Sequence, residues 1–114
     1  LSQRHAECES SAVVRARVQL VQNLQFQRQG KLNAMLDNSG INAFCELEKE
    51  DALWMEETLI ALGLSTRAWF RLLRVARTIA DMAGSEKIMR PHILEALSYR
   101  AIDRMLVHLQ KMQA

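Results

Sequence analysis

Apolar residues recur every three or four positions along most of this chain, which is the spacing of amphipathic helices. The clearest case begins after Gly63, a helix stop, with Ser65 as N-cap, and ends at a second stop, Gly84. At about 100° per residue, seven apolar side chains share one arc of about 120°. They are Trp69, Leu72, Leu73, Ala76, Ile79, Ala80 and Ala83. The pattern predicts a helix whose apolar face anchors the core.

The opposite face of this helix is basic. The residues there, within about 60° of one another, are Arg67, Arg71, Arg74 and Thr78. One interpretation is that the arginines at 71, 74 and 77 pair with acids of the same chain, such as Glu48, Glu57 and Asp81. Arg77 and Asp81 are four residues apart, where a surface ion pair contributes about 0.3–0.5 kcal/mol. The other interpretation is that the row of arginines receives a phosphate-bearing partner.

Arg67 favours the second interpretation because of its position. It lies in the first turn of its helix, where a cation opposes the helix dipole and is mildly unfavourable. An anion bound at the same helix end would reverse that effect. Exposed backbone N–H groups together with a bidentate guanidinium form a phosphate site, so Arg67 is the first candidate for a binding residue.

The same spacing predicts further helices on both sides. The first begins at Ser10 or Ser11 and ends near Gln29, and its exposed side is rich in glutamine. A short helix holding Ile41, Phe44 and Cys45 is capped by Asp37, Asn38 or Ser39. Another runs from about Glu48 to Leu62, and we expect five of its residues to face the interior. They are Leu53, Trp54, Thr58, Ala61 and Leu62. The last starts at Arg90-Pro91, with its continuity at Tyr99 left open.

Composition supports the same fold class. The chain has 114 residues, 49% of them hydrophobic, with only four glycines and one proline, which favours helix nearly throughout. We predict an all-α fold, a small bundle of four to five helices. Residues 1–9 show no periodicity and are assigned to a linker or tail, and residues 10–114 to one helical domain. Because the first residue is Leu1 rather than Met, we expect an excised piece of a longer protein.

Several functional classes find no support. A formal net charge of +2 is too small for nucleic-acid binding by bulk electrostatics, so only a local basic patch would serve. Membrane spans and signal peptides are not indicated, and we expect a cytoplasmic protein.

Cys8 and Cys45 are too few for a disulfide framework or a zinc site, and Cys45 is expected to be a small buried hydrophobe. The three histidines, His5, His92 and His108, are far apart in sequence, and His92 and His108 are interpreted as structural or solvated. The common nucleotide-binding, protease and esterase motifs are missing, so we assign this chain no catalytic residue and no metal site.

The segments around the basic helix carry a family resemblance. Four of them occur in the same order as in the magnesium-chelatase-like AAA+ ATPases, close to their ComM branch. They are ESSAVVRARV, GKLNAML, GLSTRAWFRLLRVARTIADMAGSEKI and PHILEALSYRAIDR. The resemblance extends from about Glu9 to Arg104, and the order and spacing of the four segments are specific to that family.

The resemblance implies an identity for the domain and a role for one residue. It implies the small helical lid of the AAA+ type that follows the ATPase core, with the sensor-2 arginine at Arg67 in an SxRA pattern formed by Ser65, Arg67 and Ala68. That arginine touches the γ-phosphate of ATP, and Arg71 and Arg74 are weaker candidates for the same interface. No cofactor is expected in the chain itself, and ATP and Mg²⁺ are expected in the full-length protein. The implied partners are its own ATPase core, neighbouring subunits of a hexameric ring and, for the parent motor in natural transformation, DNA undergoing branch migration, with no membrane.

Two alternatives come from other classes. A free-standing helix-turn-helix DNA-binding module would place Gly63 in the turn and Arg67, Arg71 and Arg74 in the major groove. Trp69, six residues past that glycine, is too bulky for such a turn and belongs in the core. A structural helical adaptor would instead use the glutamine-rich first helix.

Overall fold

Five α-helices and one short 3-10 turn make up the part of the chain that the structure describes. In this computed structural model, the backbone is described for residues 2–113 and the side chains for 11–101 and 109–112. The helices are α1 (Ser2–Gln29), α2 (Asn38–Phe44), α3 (Lys49–Leu62), α4 (Thr66–Met82) and α5 (Arg90–Gln113), with the 3-10 turn at Asn33–Met35. The predicted all-α bundle is therefore confirmed.

Helix α4 lies at the centre of the bundle and contacts α1, α2, α5 and the 3-10 turn. Of the seven residues predicted for its inner face, four are buried, two pack against the core at its edge and Ala83 is exposed at the helix end. The buried apolar residues of the core are Leu36, Ile41, Cys45, Met55, Leu72, Leu73, Ala76, Ala80, Ile88, Ile93 and Ala96. Burying such side chains contributes about 1.5–3 kcal/mol for each large one, so α4 is held firmly by its inner face.

The predicted start and stop signals around α4 are confirmed. Gly63 has a left-handed backbone (φ 64°), and the N–H of Leu64 donates to the carbonyl of Leu59 at 2.9 Å, closing α3. Ser65 then caps α4, because its hydroxyl oxygen accepts from the N–H of Ala68 at 3.2 Å. At the other end, Gly84 is also left-handed, with φ 72°.

Helix α1 differs from the prediction in its start and in its packing. It begins at Ser2 rather than at Ser10 or Ser11, while the division between a linker at 1–9 and a domain at 10–114 stays a prediction. Residues 11–20 are all exposed, and among the side chains of α1 that the structure describes, those of the last turns, around Gln25 and Arg28, are the ones that reach the bundle. Residues 2–9 are mostly polar, so the apolar spacing that predicts the helix gives no signal for its first two turns.

Helix α3 presents a different inner face from the one predicted. Met55 and Asp51 are buried, whereas Leu53 and Leu62 are each 56% exposed. Trp54 and Thr58 are half-buried, and Ala61 is exposed. Helix α3 packs against the segment that leads into α5 and not along the face of another long helix. This segment decides which residues of α3 are buried.

Three contacts join α3 and the residues just before it to the start of α5. Leu47 and Ile88 form an isolated parallel β-bridge. The guanidinium of Arg90 donates through Nε to Asp51 Oδ1 at 3.0 Å and lies 4.7 Å from the centre of the Trp54 ring, a cation–π contact. Helix α3 is therefore fixed along the side that carries Asp51, Trp54 and Met55.

The two remaining expectations concern α2 and α5. Of the three candidate caps for α2, Asp37 is the one used, since its Oδ1 accepts from the N–H of Gly40 at 2.8 Å. Helix α5 continues through Tyr99 to Gln113. In the stretches whose structure is described, no helix combines the length and the apolar character needed to cross a membrane.

Candidate functional site

Arg67 lies at the N-terminal end of α4, where the structure leaves backbone donors unused. Ser65 caps only the N–H of Ala68 with its side chain, and its carbonyl accepts from Trp69 at 3.0 Å. The N–H groups of Thr66 and Arg67 have no partner among the described residues. The Arg67 side chain is exposed and forms no ion pair in that same part of the chain. Two N–H groups and a free guanidinium thus meet at the positive end of the central helix.

The predicted row of arginines is divided by the structure. Arg71 is exposed one turn beyond Arg67 and has no ion pair within the described residues. Arg74, in contrast, is half-buried, and its Nε donates to the carbonyl of Leu36 at 3.0 Å. Thr78 also serves the fold, since it accepts a hydrogen bond from Asn33 at 3.1 Å and donates to the carbonyl of Arg74 at 3.0 Å. Arg67 and Arg71 remain available to a partner, and Arg74 holds the 3-10 turn.

Asp81 occupies the most polar place in the interior. Its side chain is fully buried and accepts hydrogen bonds from Arg28 at 2.7 Å and 3.0 Å, from Asn33 at 2.9 Å and from Gln25 at 3.2 Å. The Arg77 guanidinium completes the set with contacts of 2.8 Å and 3.0 Å. Burial alone would raise the pKa of Asp81, but the hydrogen bonds from Arg28 and Asn33 and the charge of Arg77 outweigh it and hold that pKa below its ordinary value of 3.8.

The predicted pairing of Arg77 with Asp81 is confirmed, but the pair is buried in the bundle and does not lie on the surface. The Arg77 side chain is only 4% exposed, and it also donates to the carbonyls of Ser85 and Glu86. Its partner Asp81 is shared with Arg28 of α1, which the sequence gives no reason to place nearby. The other suggested acids do not pair with the arginine row, because Glu48 binds Lys87 at 2.6 Å and Glu57 is exposed without a partner among the described residues.

A groove of about 590 Å³ runs between α4 and α5, on the side of α4 that carries Arg74. Its walls are mostly apolar, with His92, Glu95 and Tyr99 along the α5 side. His92 Nδ1 accepts from the N–H of Met89 at 2.9 Å, a structural role that confirms the prediction for this histidine. Tyr99 donates to Glu95 at 2.8 Å, and that hydrogen bond raises the pKa of the Tyr99 phenol. His5 and His108 lie outside the residues whose side chains are described.

Cys45 is buried in the core, as predicted. Burial raises the pKa of its thiol to about 11, against the lowering effect of the nearby Arg77 and Arg28. Because the thiolate is the reactive form, Cys45 should resist alkylation by iodoacetamide at pH 7.5 in the folded chain and react readily in guanidinium chloride. Mass spectrometry of the Cys45 peptide measures both rates. Equal rates in the two conditions would contradict this burial.

Comparisons with known proteins agree with the resemblance noted in the sequence. Residues 8–100 match the family model described as magnesium chelatase, subunit ChlI C-terminal. The chain is 62% identical over 104 residues to the uncharacterized protein YifB of Escherichia coli (strain K12) and 54% identical over 114 residues to YifB of Salmonella typhimurium, covering 91% and 100% of this chain. It is 47% identical over 104 residues to the competence protein ComM of Haemophilus influenzae, covering 91% of this chain.

The matched regions show what share of its relatives this chain corresponds to. The chain spans about a fifth of the length of these relatives, between 20% and 22%. The family match extends from the second turn of α1 into the middle of α5 and includes all of α4 with Arg67. This chain therefore belongs to the family of magnesium chelatase subunit ChlI C-terminal domains.

Proposed function

We propose that this chain is the C-terminal helical lid of a ComM-like AAA+ ATPase and that Arg67 is its sensor-2 arginine. The observation that carries the proposal is the exposed Arg67 guanidinium beside the unused N–H groups of Thr66 and Arg67 at the start of α4. A cation at this position gains nothing from its own helix. Its presence is accounted for by an anion that the rest of the protein brings to the same place.

The chemistry of this helix end suits a nucleotide phosphate. A guanidinium offers planar paired donors that match phosphate oxygens, and two backbone N–H groups add to them. ATP with Mg²⁺, held mainly by the ATPase core, supplies the phosphoryl group that is transferred to water. Arg67 contributes a fixed positive charge to it. Arg71 is a second candidate one turn away, and Arg74 is a weaker one because its Nε is committed to Leu36.

Because Arg67 is attached to the bundle through α4, a phosphate bound at Arg67 would affect the position of the whole lid. Helix α4 buries Leu72, Leu73, Ala76 and Ala80 in the core, so the helix and the bundle move as one body. A phosphate that holds Arg67 therefore holds the whole lid, and its release frees the lid. In the full-length protein we assign this motion to a hexameric ring whose neighbouring subunits touch the lid and which drives branch migration of DNA.

The test of the proposal is ATP hydrolysis by a full-length protein in which Arg67 is replaced. By itself the chain should bind ATP very weakly, because the proposed site consists of one helix end and most of the nucleotide contacts belong to the core. Isothermal titration of the chain with ATP and Mg²⁺ measures this.

A DNA-binding module is the second candidate, favoured by the exposed Arg67 and Arg71 on a helix that follows a tight turn at Gly63. Against it, Trp69 packs at the edge of the core. We expect the chain to bind duplex DNA more weakly than about 1 µM at physiological salt, the range of non-specific contacts. Fluorescence anisotropy with a labelled duplex measures the affinity and its salt dependence. Tighter, steeply salt-dependent binding would favour the DNA-binding module over the lid.

A further inference from the structure

The outward side of α1 carries an apolar stripe with a cation in its middle. We call this stripe, formed by Val13, Arg17, Leu20 and Leu24, the basic seam. The residues follow one another at intervals of four, three and four, so they share one face of the helix. Val13 is 62% exposed, Leu20 70% and Leu24 44%. Arg17 is exposed without an ion pair among the described residues, and the sequence has no acid from Ser10 to Gln29.

The outward side of α3 carries the opposite arrangement. We call the stripe formed by Leu53, Glu56, Glu57 and Ile60 the acidic ridge. Leu53 is 56% exposed and Ile60 77%, and both glutamates between them are exposed. Neither glutamate has an ion-pair partner among the described residues. The ridge lies away from Met55 and Asp51, the residues that attach α3 to the bundle.

The two stripes match in spacing and in charge. In each, two apolar residues seven positions apart, about 10 Å along a helix, enclose a charged residue four positions after the first. Val13, Arg17 and Leu20 correspond in this way to Leu53, Glu57 and Ile60. If the helices pack side by side, the apolar ends meet each other and Arg17 meets Glu57, with Glu56 beside it. Both stripes are exposed within one copy, so they do not cover each other there.

We infer that the basic seam of one copy packs on the acidic ridge of a second copy of this chain. When the two stripes of one copy bind different neighbours, the contact is head-to-tail, the kind that forms a closed ring when its rotation permits. The inference deepens the subunit contact of the proposed function and rests on it for the expectation that copies assemble. Stripes of this size are smaller than the roughly 1,200 Å² of a stable interface. The contact is therefore weak between isolated chains and is reinforced in a larger assembly.

A pair of introduced cysteines tests the contact directly. In chains carrying Cys8→Ser, with Cys45 buried, one chain receives Leu20→Cys and the other Ile60→Cys. On mild oxidation of the mixture we expect the mixed disulfide to form at least about five times faster than in a control mixture. In the control, Ile60→Cys is replaced by Ser98→Cys, which lies exposed on α5. Equal rates in the two mixtures would overturn the inference. The basic seam would then bind another surface, such as the ATPase core.

Charge reversal in the same cysteine chains tests the role of Arg17. Adding Arg17→Glu to the Leu20→Cys chain should slow the mixed disulfide by about three- to ten-fold, the effect of replacing an attraction by a repulsion. Adding Glu56→Lys and Glu57→Lys to the Ile60→Cys chain should then restore the rate. Since all three side chains are exposed, circular dichroism should show unchanged folding. Absence of both the loss and the restoration would also overturn the inference.

The assay contains no nucleotide, and this separates it from the proposed function. A negative result would remove the head-to-tail contact and leave the role of Arg67 untouched. Normal ATP hydrolysis by an Arg67 variant would remove the sensor role and leave the disulfide result as it stands.

Discussion

Replacing Arg67 by alanine in the full-length protein is expected to lower kcat for ATP hydrolysis by at least about 100-fold, the loss typical of one preorganised donor at a charged transition state. The effect should fall on kcat more than on KM, because the arginine acts on the phosphoryl group during transfer while the core holds most of the nucleotide. The fold should not suffer, since the Arg67 side chain is exposed and its removal takes a cation away from a positive helix end. Steady-state hydrolysis and thermal unfolding of the same preparation measure both quantities.

Two further variants locate the effect. Arg67→Lys keeps the charge but loses the paired donors, so most of the defect should persist. Lys31→Ala removes an exposed cation after α1, and hydrolysis should stay near the wild-type rate. Wild-type turnover in Arg67→Ala would refute the assignment of Arg67. A ten-fold or larger loss in Arg71→Ala combined with normal turnover in Arg67→Ala would move the role one turn along α4.

Replacing Asp81 by alanine is expected to be the most destabilising change in the described part of the chain, lowering the free energy of unfolding by about 3–5 kcal/mol. It would leave the buried guanidinium of Arg77 and that of Arg28 without their shared carboxylate. The matched control is Glu48→Ala, which removes an exposed pair with Lys87 and should change the stability far less, because exposed pairs contribute little. Urea denaturation followed by circular dichroism measures both variants, and similar losses in the two would contradict the importance of the buried cluster.

The same cluster gives stability a defined dependence on pH. The pKa of Asp81 is lower in the folded chain than its ordinary value of 3.8, so the folded state favours the ionised carboxyl. Its contribution is complete above that ordinary value and is lost as the pH falls through the lower folded-state pKa. Asp81→Asn should therefore lose less stability than the wild type between pH 5 and pH 2, because its amide does not titrate. Urea midpoints across this range measure the difference.

Helix α4 could be predicted almost completely from the sequence, because its signals do not conflict. Ser65 caps it, Gly63 and Gly84 bound it, and its apolar residues share one arc, with the buried Arg77 and Asp81 as the exception. The all-α class followed from the same signals along the rest of the chain. Arg67 was singled out by its place in the first turn, and the structure leaves it exposed there, but its role with ATP stays a prediction.

The wrong predictions concern contacts between segments that are distant in sequence. The pattern within one segment does not show such contacts. Helix α3 has apolar residues on two sides, and the side that is buried depends on Ile88 and Arg90, some 40 residues later. The Asp81 cluster was mistaken for a local surface pair because only the spacing to Arg77 is visible in the sequence. Arg28 reaches Asp81 across 53 positions, a contact that only the folded chain creates.

The Asp81 cluster holds α1 near one end, so a rotation of the helix there displaces its other end most. Gln25 and Arg28, near the end of α1, bind the carboxylate of Asp81. The same carboxylate binds Arg77, which holds the segment before α5 through the carbonyls of Ser85 and Glu86. From Gln25 back to Ser2 the helix measures about 35 Å at 1.5 Å per residue. A tilt of about 5° at the pivot would move the far end of such a helix by about 3 Å. A small reorientation of the bundle would thus be amplified into a displacement large enough to separate or join side chains at a distance.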